Sequence, residues 1–288
     1  MVAERGRILK VYNNVLHVAT EDAVILCQLR GRVKKGRSDM GLVPGDLVAL
    51  ERISSEEGVI ERIEARTNLL RRPRVANLTQ IVITVAAASP DPHPLVVSRF
   101  LVLAELSGVK KIILCVNKMD LCQGKPENFL AEYEEAGYPI LRVSAEQGTG
   151  LDELRACLAW EISVLAGPSG AGKSSLLNAL DPSLALATGA VSEKIGRGRH
   201  TTRRAELLPF AGGYVVDTPG FTQQELAEVT AENLAACFPE IDRYTGCRFT
   251  PCSHSHEPDC AVKTAVTGKK LSRERYDAYI ALLTELRS

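Results

Sequence analysis

The sequence predicts three structural regimes in succession: a small all-β barrel, an α/β region built on a mainly parallel sheet, and a mainly helical tail. Three observations carry this. The first 64 residues hold only short strand-like runs with no helical periodicity. From Leu78 onward, strand-like and helix-like segments alternate. After Leu226, helical text surrounds a crowd of cysteine and histidine. With 288 residues, 45% hydrophobic and 24% charged, the chain is long enough for two or three domains and has an average soluble composition.

In the first regime, Arg7–Val18 alternates around a turn at Asn13-Asn14 and Ala23–Leu29 is an apolar strand. Leu47–Arg52 follows the turn Pro44-Gly45-Asp46, and Val59–Ile63 follows Gly58. Four or five strands in so short a stretch suit a barrel of the oligonucleotide/oligosaccharide-binding (OB) type. Between two of them lies a cationic run containing Arg30, Arg32, Lys34, Lys35 and Arg37, which reads either as a solvated loop or as a phosphate-contacting one.

In the second regime, strands at Ile81–Ala87, Lys111–Val116, Ile140–Val143 and Ile162–Ala166 alternate with helices at Leu95–Leu106, Pro126–Ala136, Leu151–Leu158 and Ser174–Leu180. Tyr214–Val216 adds a strand, and the tail offers helices at Ala231–Cys237 and Ser272–Leu286. Domain boundaries follow at 1–66, 73–225 and 226–288.

Lysine plus arginine equals aspartate plus glutamate at 35 each, yet the balance hides a split. Residues 1–75 carry 14 basic against 10 acidic groups, 76–239 carry 13 against 18, and 240–288 carry 8 against 7. A basic barrel beside an acidic α/β region suits a chain whose flank meets a polyanion. No run approaches the roughly 18 apolar residues of a membrane span, and the first residues lack a signal-peptide core, so a cytoplasmic protein with no membrane partner is expected. Cys27, Cys115, Cys122 and Cys157 then read as small hydrophobes.

Gly167-Pro168-Ser169-Gly170-Ala171-Gly172-Lys173-Ser174 matches G-x-x-x-x-G-K-[ST] between an apolar strand and an apolar helix, the context this phosphate loop requires. Its N–H groups, with Ser175 behind them, curl around phosphate oxygens; Lys173 reaches the β/γ-phosphates and Ser174 ligates Mg²⁺. Asn117-Lys118-Met119-Asp120 and Ser144-Ala145 each follow a strand. A guanine edge offers two donors that the Asp120 carboxylate can accept together. Asn117 can take the N7 side, the Lys118 stem can lie along the purine, and the Ala145 N–H can reach O6. Asp217-Thr218-Pro219-Gly220 follows another strand: Asp217 can hold Mg²⁺ through water and the Gly220 N–H can sense the γ-phosphate. One hydroxyl of Thr201 and Thr202, taken as Thr202, completes the Mg²⁺ shell.

These five motifs are those of a translation-factor-type GTPase, with the guanine motifs preceding the phosphate loop. The chain therefore resembles the circularly permuted GTPases, and G-R-G-R-H-T-T at 196–202, D-T-P-G-F at 217–221, the leading basic barrel and the trailing Cys/His cluster make it similar to the RsgA/YjeQ family across its whole length. The resemblance implies a monomeric, cytoplasmic GTP hydrolase, with GTP/GDP and Mg²⁺, that binds the small ribosomal subunit and its rRNA, assists late assembly and is stimulated by the subunit. Where many GTPases carry a water-orienting glutamine stands Phe221, which has neither donor nor acceptor; His200, beside the two threonines, is the candidate in its place.

Cys247, Cys252, a histidine and Cys260 fall within 14 residues and form a closed Cys₃His set suited to one structural Zn²⁺. His254 and His256 both qualify by distance along the chain; the family resemblance selects His254. A kinase or ATPase would not need Asn117, Asp120 and Ser144-Ala145 together, and an RNA-binding protein with a decayed loop would not keep Lys173, Ser174, Asp217 and Gly220.

Overall fold

The computed structural model describes residues 4–13, 15–30, 41–122, 126–186, 205–217, 226 and 228–288. Two compact units emerge: Met1–Thr79 with Cys157–Val164 and Arg197–Phe221, and Gln80–Ala156 with Leu165–Gly196 and Thr222–Ser288.

In the first unit, β1 (Glu4–Tyr12), β2 (Val15–Ala19), β3 (Val24–Leu29), β4 (Leu47–Arg52) and β5 (Glu57–Ile63) close into a barrel of order β1-β2-β3-β5-β4. Tyr12 pairs with Val15, so Asn13, at φ +47°, sits in a two-residue hairpin turn that asparagine tolerates. The pairing of β3 with β5 is parallel, whereas β1 with β4 is antiparallel. Period-2 alternation sends Ile8, Leu16, Val18, Ile25, Cys27, Val48, Leu50 and Ile60 inward. Fully buried Asp46 ties the rim: it accepts from the Val43 N–H at 2.9 Å and from Arg66 at 2.7 and 2.8 Å. A short hairpin of β6 (Leu69–Arg71) and β7 (Arg74–Ala76) follows, its base clamped by Asn68 to Leu78 and by Asn77 to Thr67 and Gly45.

The same unit holds the first residues of β11 (Ile162–Ala166), which run parallel to β13 (Gly213–Asp217), itself antiparallel to β12 (Glu206–Phe210). Lys10 of β1 pairs with Glu206 at 2.9 Å.

The second unit contains the parallel set β10 (Ile140–Arg142), β9 (Lys111–Asn117) and β8 (Gln80–Ala86), in that order. Strand β8 is buried along its whole length, as a strand covered on both faces must be. Helices α1 (Pro94–Leu106), α2 (Pro126–Glu135), α3 (Leu151–Leu158) and α4 (Lys173–Leu180) follow the alternation read from sequence. Beyond them come α5 (Pro239–Asp242), α6 (Ala261–Thr267) and α7 (Arg273–Arg287).

Val102 of α1 shares one apolar core with Phe238, Ile241, Val262, Tyr279 and Leu282 of the tail. At its polar centre Arg275, 2% exposed, donates to Glu240 at 2.6 Å and to Ser98 at 2.8 Å, and its guanidinium lies 4.9 Å from the rings of both Tyr133 and Phe238. Removing one partner of such a buried pair costs about 3–5 kcal/mol, because the other charge is stranded.

Ala231–Cys237 is not the helix its sequence predicts; only a three-residue turn of 3₁₀ type forms, at Ala235–Cys237. Asn233 accepts from the Thr230 N–H and donates to Glu228 O, and these local bonds compete with helical ones. Pro239 then bars continuation. Strands β6, β7 and β12 and helices α5 and α6 were not foreseen. Among the described residues no cysteine is disulfide-bonded, and no helix is long and apolar enough to cross a membrane.

Burial raises the Glu132 pKa, and the neighbouring carboxyl of Glu274 adds to it, bringing Glu132 to about 7. Its folded-state pKa thus exceeds the unfolded value, so its stabilising contribution is complete below about pH 4.5 and is lost as pH rises through about 7. Thermal unfolding of Glu132→Gln should show a higher midpoint than wild type at pH 8 and none of that gain at pH 4.5; equal differences at both pH values would contradict the carboxyl pair.

Candidate functional site

In the second unit the C-terminal ends of β8 and β9 meet the loop leading into α4, where parallel α/β sheets bind ligands. Gly167 shows why the loop begins with glycine: at φ +139° a Cβ would lie 1.9 Å from Thr84 O. At Gly172, φ is +88° and a Cβ would sit 2.3 Å from Asn117 Nδ2. The second motif glycine is thus required by the side chain of a different motif. No side chain caps the first turn of α4, whose N–H groups are left for an anion.

Lys173 folds back on its own loop, its Nζ donating to Gly167 O at 2.7 Å and Pro168 O at 2.9 Å. Burial pushes its pKa down to about 8. An arriving phosphate would exchange two carbonyl dipoles for full negative charge and favour the ammonium further. Ser174 is half-buried, while Ser169, Gly170 and Ser175 are exposed.

Asn117, 1% exposed, is the joint of three motifs. Its Nδ2 donates to Ala171 O at 3.0 Å, and its Oδ1 accepts from the Ala145 N–H at 3.1 Å. The Ala145 donor read from sequence as reaching a base is therefore engaged within the protein, and a base oxygen would have to share it. Ser144 donates its hydroxyl to Asp120 Oδ1 and receives the Gln147 N–H at 3.0 Å, fixing which way the carboxylate faces. Lys118, at φ +62°, donates through Nζ to Ser89 O.

Asp217 ends β13, one residue beyond the pairing of Val216 with Val164. His200, Thr201, Thr202, Gly220 and Phe221 lie outside the described residues, as do Arg32, Lys34, Lys35 and Arg37. Arg30 is described and is engaged on the barrel, 2.9 Å from Glu51 and 2.5 Å from Glu61, so an RNA phosphate would compete with two carboxylates.

The Cys/His cluster closes as well. The ligand atoms of Cys247, Cys252, His254 and Cys260 all lie within 4.8 Å of one another. Cys247 Sγ is 3.8 Å from Cys260 Sγ, and His254 Nδ1 lies 3.6 Å from Cys247 Sγ and 3.4 Å from Cys260 Sγ. Metal–sulfur bonds of about 2.3 Å and metal–nitrogen bonds of about 2.0–2.1 Å give a tetrahedron with S–S edges of about 3.8 Å and S–N edges of about 3.5 Å. The four residues fit that ion. Exposed His256 turns to Ser255 Oγ at 3.0 Å.

What holds the loop was not read from sequence. Tyr276 and Tyr279, one turn apart on α7, donate to His254 O at 2.7 Å and Ser253 O at 2.8 Å. Glu257 accepts from Ser253 and Ser255; burial opposes its charge, but these hydrogen bonds prevail and bring its pKa to about 2. The i, i+3 spacing of the tyrosines was the available signal.

A family model described as RsgA GTPase matches residues 63–227. A Moorella thermoacetica protein named small ribosomal subunit biogenesis GTPase RsgA is 42% identical over 98% of this chain and 97% of its own. A Clostridium perfringens protein of the same name is 41% identical over the same shares. Among solved structures, YjeQ from Thermotoga maritima superposes with a TM-score of 0.87 at 37% identity, covering 100% of this chain and 99% of its own. YloQ, described as a circularly permuted GTPase, gives 0.84 at 32%, covering 99% and 95%.

Gly172→Ala should displace Asn117 and lower nucleotide affinity at least about a hundredfold, with a stability loss of roughly 1–3 kcal/mol for the strained backbone. Titration with a fluorescent guanine nucleotide checks it; near-normal affinity would mean that the joint is not needed.

Proposed function

This chain belongs to the RsgA GTPase family, and from that membership we propose a working cycle: it binds GTP, docks on the small ribosomal subunit late in its assembly, hydrolyses GTP to GDP and phosphate, and leaves. The observation that carries the reading is the joint at Asn117, where two guanine motifs and the phosphate loop are bonded to one another.

In this cycle the N–H groups of Gly167–Ser175 and the Lys173 ammonium hold the phosphates. Asp120, aimed by Ser144, accepts the guanine N1–H and N2–H₂ pair, so adenine is rejected by acceptor facing acceptor. Asn117 spends one of its two amide hydrogens on Ala171 and can offer the other to the base. Mg²⁺, when bound, neutralises charge on the β- and γ-phosphates; Ser174 and Thr202 would hold it, with Asp217 acting through water. Gly220 would sense the γ-phosphate. Phe221 cannot polarise water, and His200 accepts its proton or orients it. The subunit brings His200 to bear on the water, and that makes hydrolysis depend on docking.

The three-domain division at 1–66, 73–225 and 226–288 assigns RNA binding to the barrel, turnover to the centre and one structural Zn²⁺ to the tail. The basic excess of residues 1–75 supports rRNA contact through the loop from Arg30 to Arg37. The protein works as a cytoplasmic monomer.

Elemental analysis should find one zinc per chain. Cys252→Ser should lose it and forfeit roughly 4 kcal/mol or more, the linkage for an ion a thousandfold above its dissociation constant; metal-free wild type with reduced thiols would refute the site. GTP turnover measured with and without purified small subunits tests the cycle: wild type should be stimulated, whereas His200→Ala should bind GTP normally and show no stimulation. Stimulation retained in the variant would move water positioning to another group.

A further inference from the structure

The segment between β8 and α1, Ala87 to His93, is absorbed by none of the five motifs, yet it is fastened to two of them. The Ala87 N–H donates to Asn117 O at 2.7 Å. Two residues on, the Ser89 carbonyl accepts the ammonium of Lys118. Pro90 then lies beside the phosphate loop: a Cβ added to Gly170 would come 3.3 Å from Pro90 Cδ. Main chain and side chain thus tie one short segment to the Asn117–Lys118 turn, and its proline ring lies beside the phosphate loop.

Backbone geometry marks where this fastening is set. Ser89 has φ +51° and Lys118 φ +62°, so two non-glycine residues in left-handed conformation face each other across the bond. Such conformations persist only where the surroundings over-determine them. Serine tolerates the region; a β-branched residue does not. Anchoring the far end of Lys118 on a carbonyl removes the rotamer freedom of the whole stem.

We infer that Ser89 is a positioning residue for nucleotide binding: its left-handed backbone aims a carbonyl that holds the Lys118 stem as a pre-set wall for the guanine base. The inference rests on the guanine reading of Asn117–Asp120 and adds to it the element that orders Lys118 before any nucleotide arrives. Because the wall serves the base and not the γ-phosphate, GDP and GTP lose affinity equally when it is loosened, and turnover at saturation is untouched.

The acting atom belongs to the main chain, so the test varies backbone tolerance. Ser89→Gly and Ser89→Asn, which accept positive φ, should bind fluorescent GDP and GTP as wild type does. Ser89→Val should lose on the order of tenfold toward both, the factor matching release of one lysine's rotamers, raising KM with kcat unchanged. Lys118→Met, which keeps the stem and loses the anchor, should lose the same factor with an unchanged unfolding midpoint, and serves if Ser89→Val does not fold. Combined, the two substitutions should cost no more than either alone. Wild-type affinity in both Ser89→Val and Lys118→Met, additive losses, or a loss for GTP only would overturn the inference while leaving the guanine reading intact. A wild-type chain that binds no guanine nucleotide would sink both.

Discussion

The side chain of Asn117 is the constraint on which the candidate nucleotide site depends. One carboxamide, buried and bonded on both ends, joins the strand end of β9, the loop after β10 and the loop before α4. Buried amides left unmet are costly, so each of its two bonds holds the other in place. Gly172 lacks a Cβ for the sake of this amide, and Ala145 gives up its N–H to it. The loop Gly167–Ser174 thereby inherits its position from the turn at Asn117–Asp120.

That joint also makes the order of the motifs along the chain immaterial. What a GTPase site requires is that strand ends come together in space, and here they do so through hydrogen bonds between residues 117, 145 and 171 that no single connecting loop enforces. Chain termini and connections can be rearranged around such a centre provided that each strand keeps its neighbours. The tail is drawn in by the same economy. Along α7, Arg275 faces α1 and α2 while Tyr276 and Tyr279 face the Cys/His loop, so one helix registers both.

Much of this was legible because it is written in local chemistry. The barrel strands declare themselves by alternation, the phosphate loop by glycines between a strand and a helix, and the Cys/His cluster by thiols and imidazole crowded within 14 residues. The rest depends on contacts between residues far apart. Asn117 reads as a base ligand and gives no hint that it is also a brace, since Ala171 is 54 residues away. Arg30 reads as a free cation until Glu51 and Glu61 are folded beside it. The Ala231–Cys237 segment has helical composition, and only the bonds of Asn233 to Thr230 and Glu228 reveal why it stays a turn. Strands β6, β7 and β12 are short and weakly patterned, and a sheet neighbour defines them more than their own residues do.

The bond between Arg275 and Ser98 spans 177 residues, and this has a meaning for the time course of synthesis. Helix α1 leaves the ribosome long before the residues that cover Val102 and bond to Ser98 exist. During that interval its outward face is unclad, and contacts of such separation are the slowest to close. The nascent chain therefore carries an adhesive helix through most of its manufacture, and each molecule ceases to be an aggregation hazard only when α7 arrives.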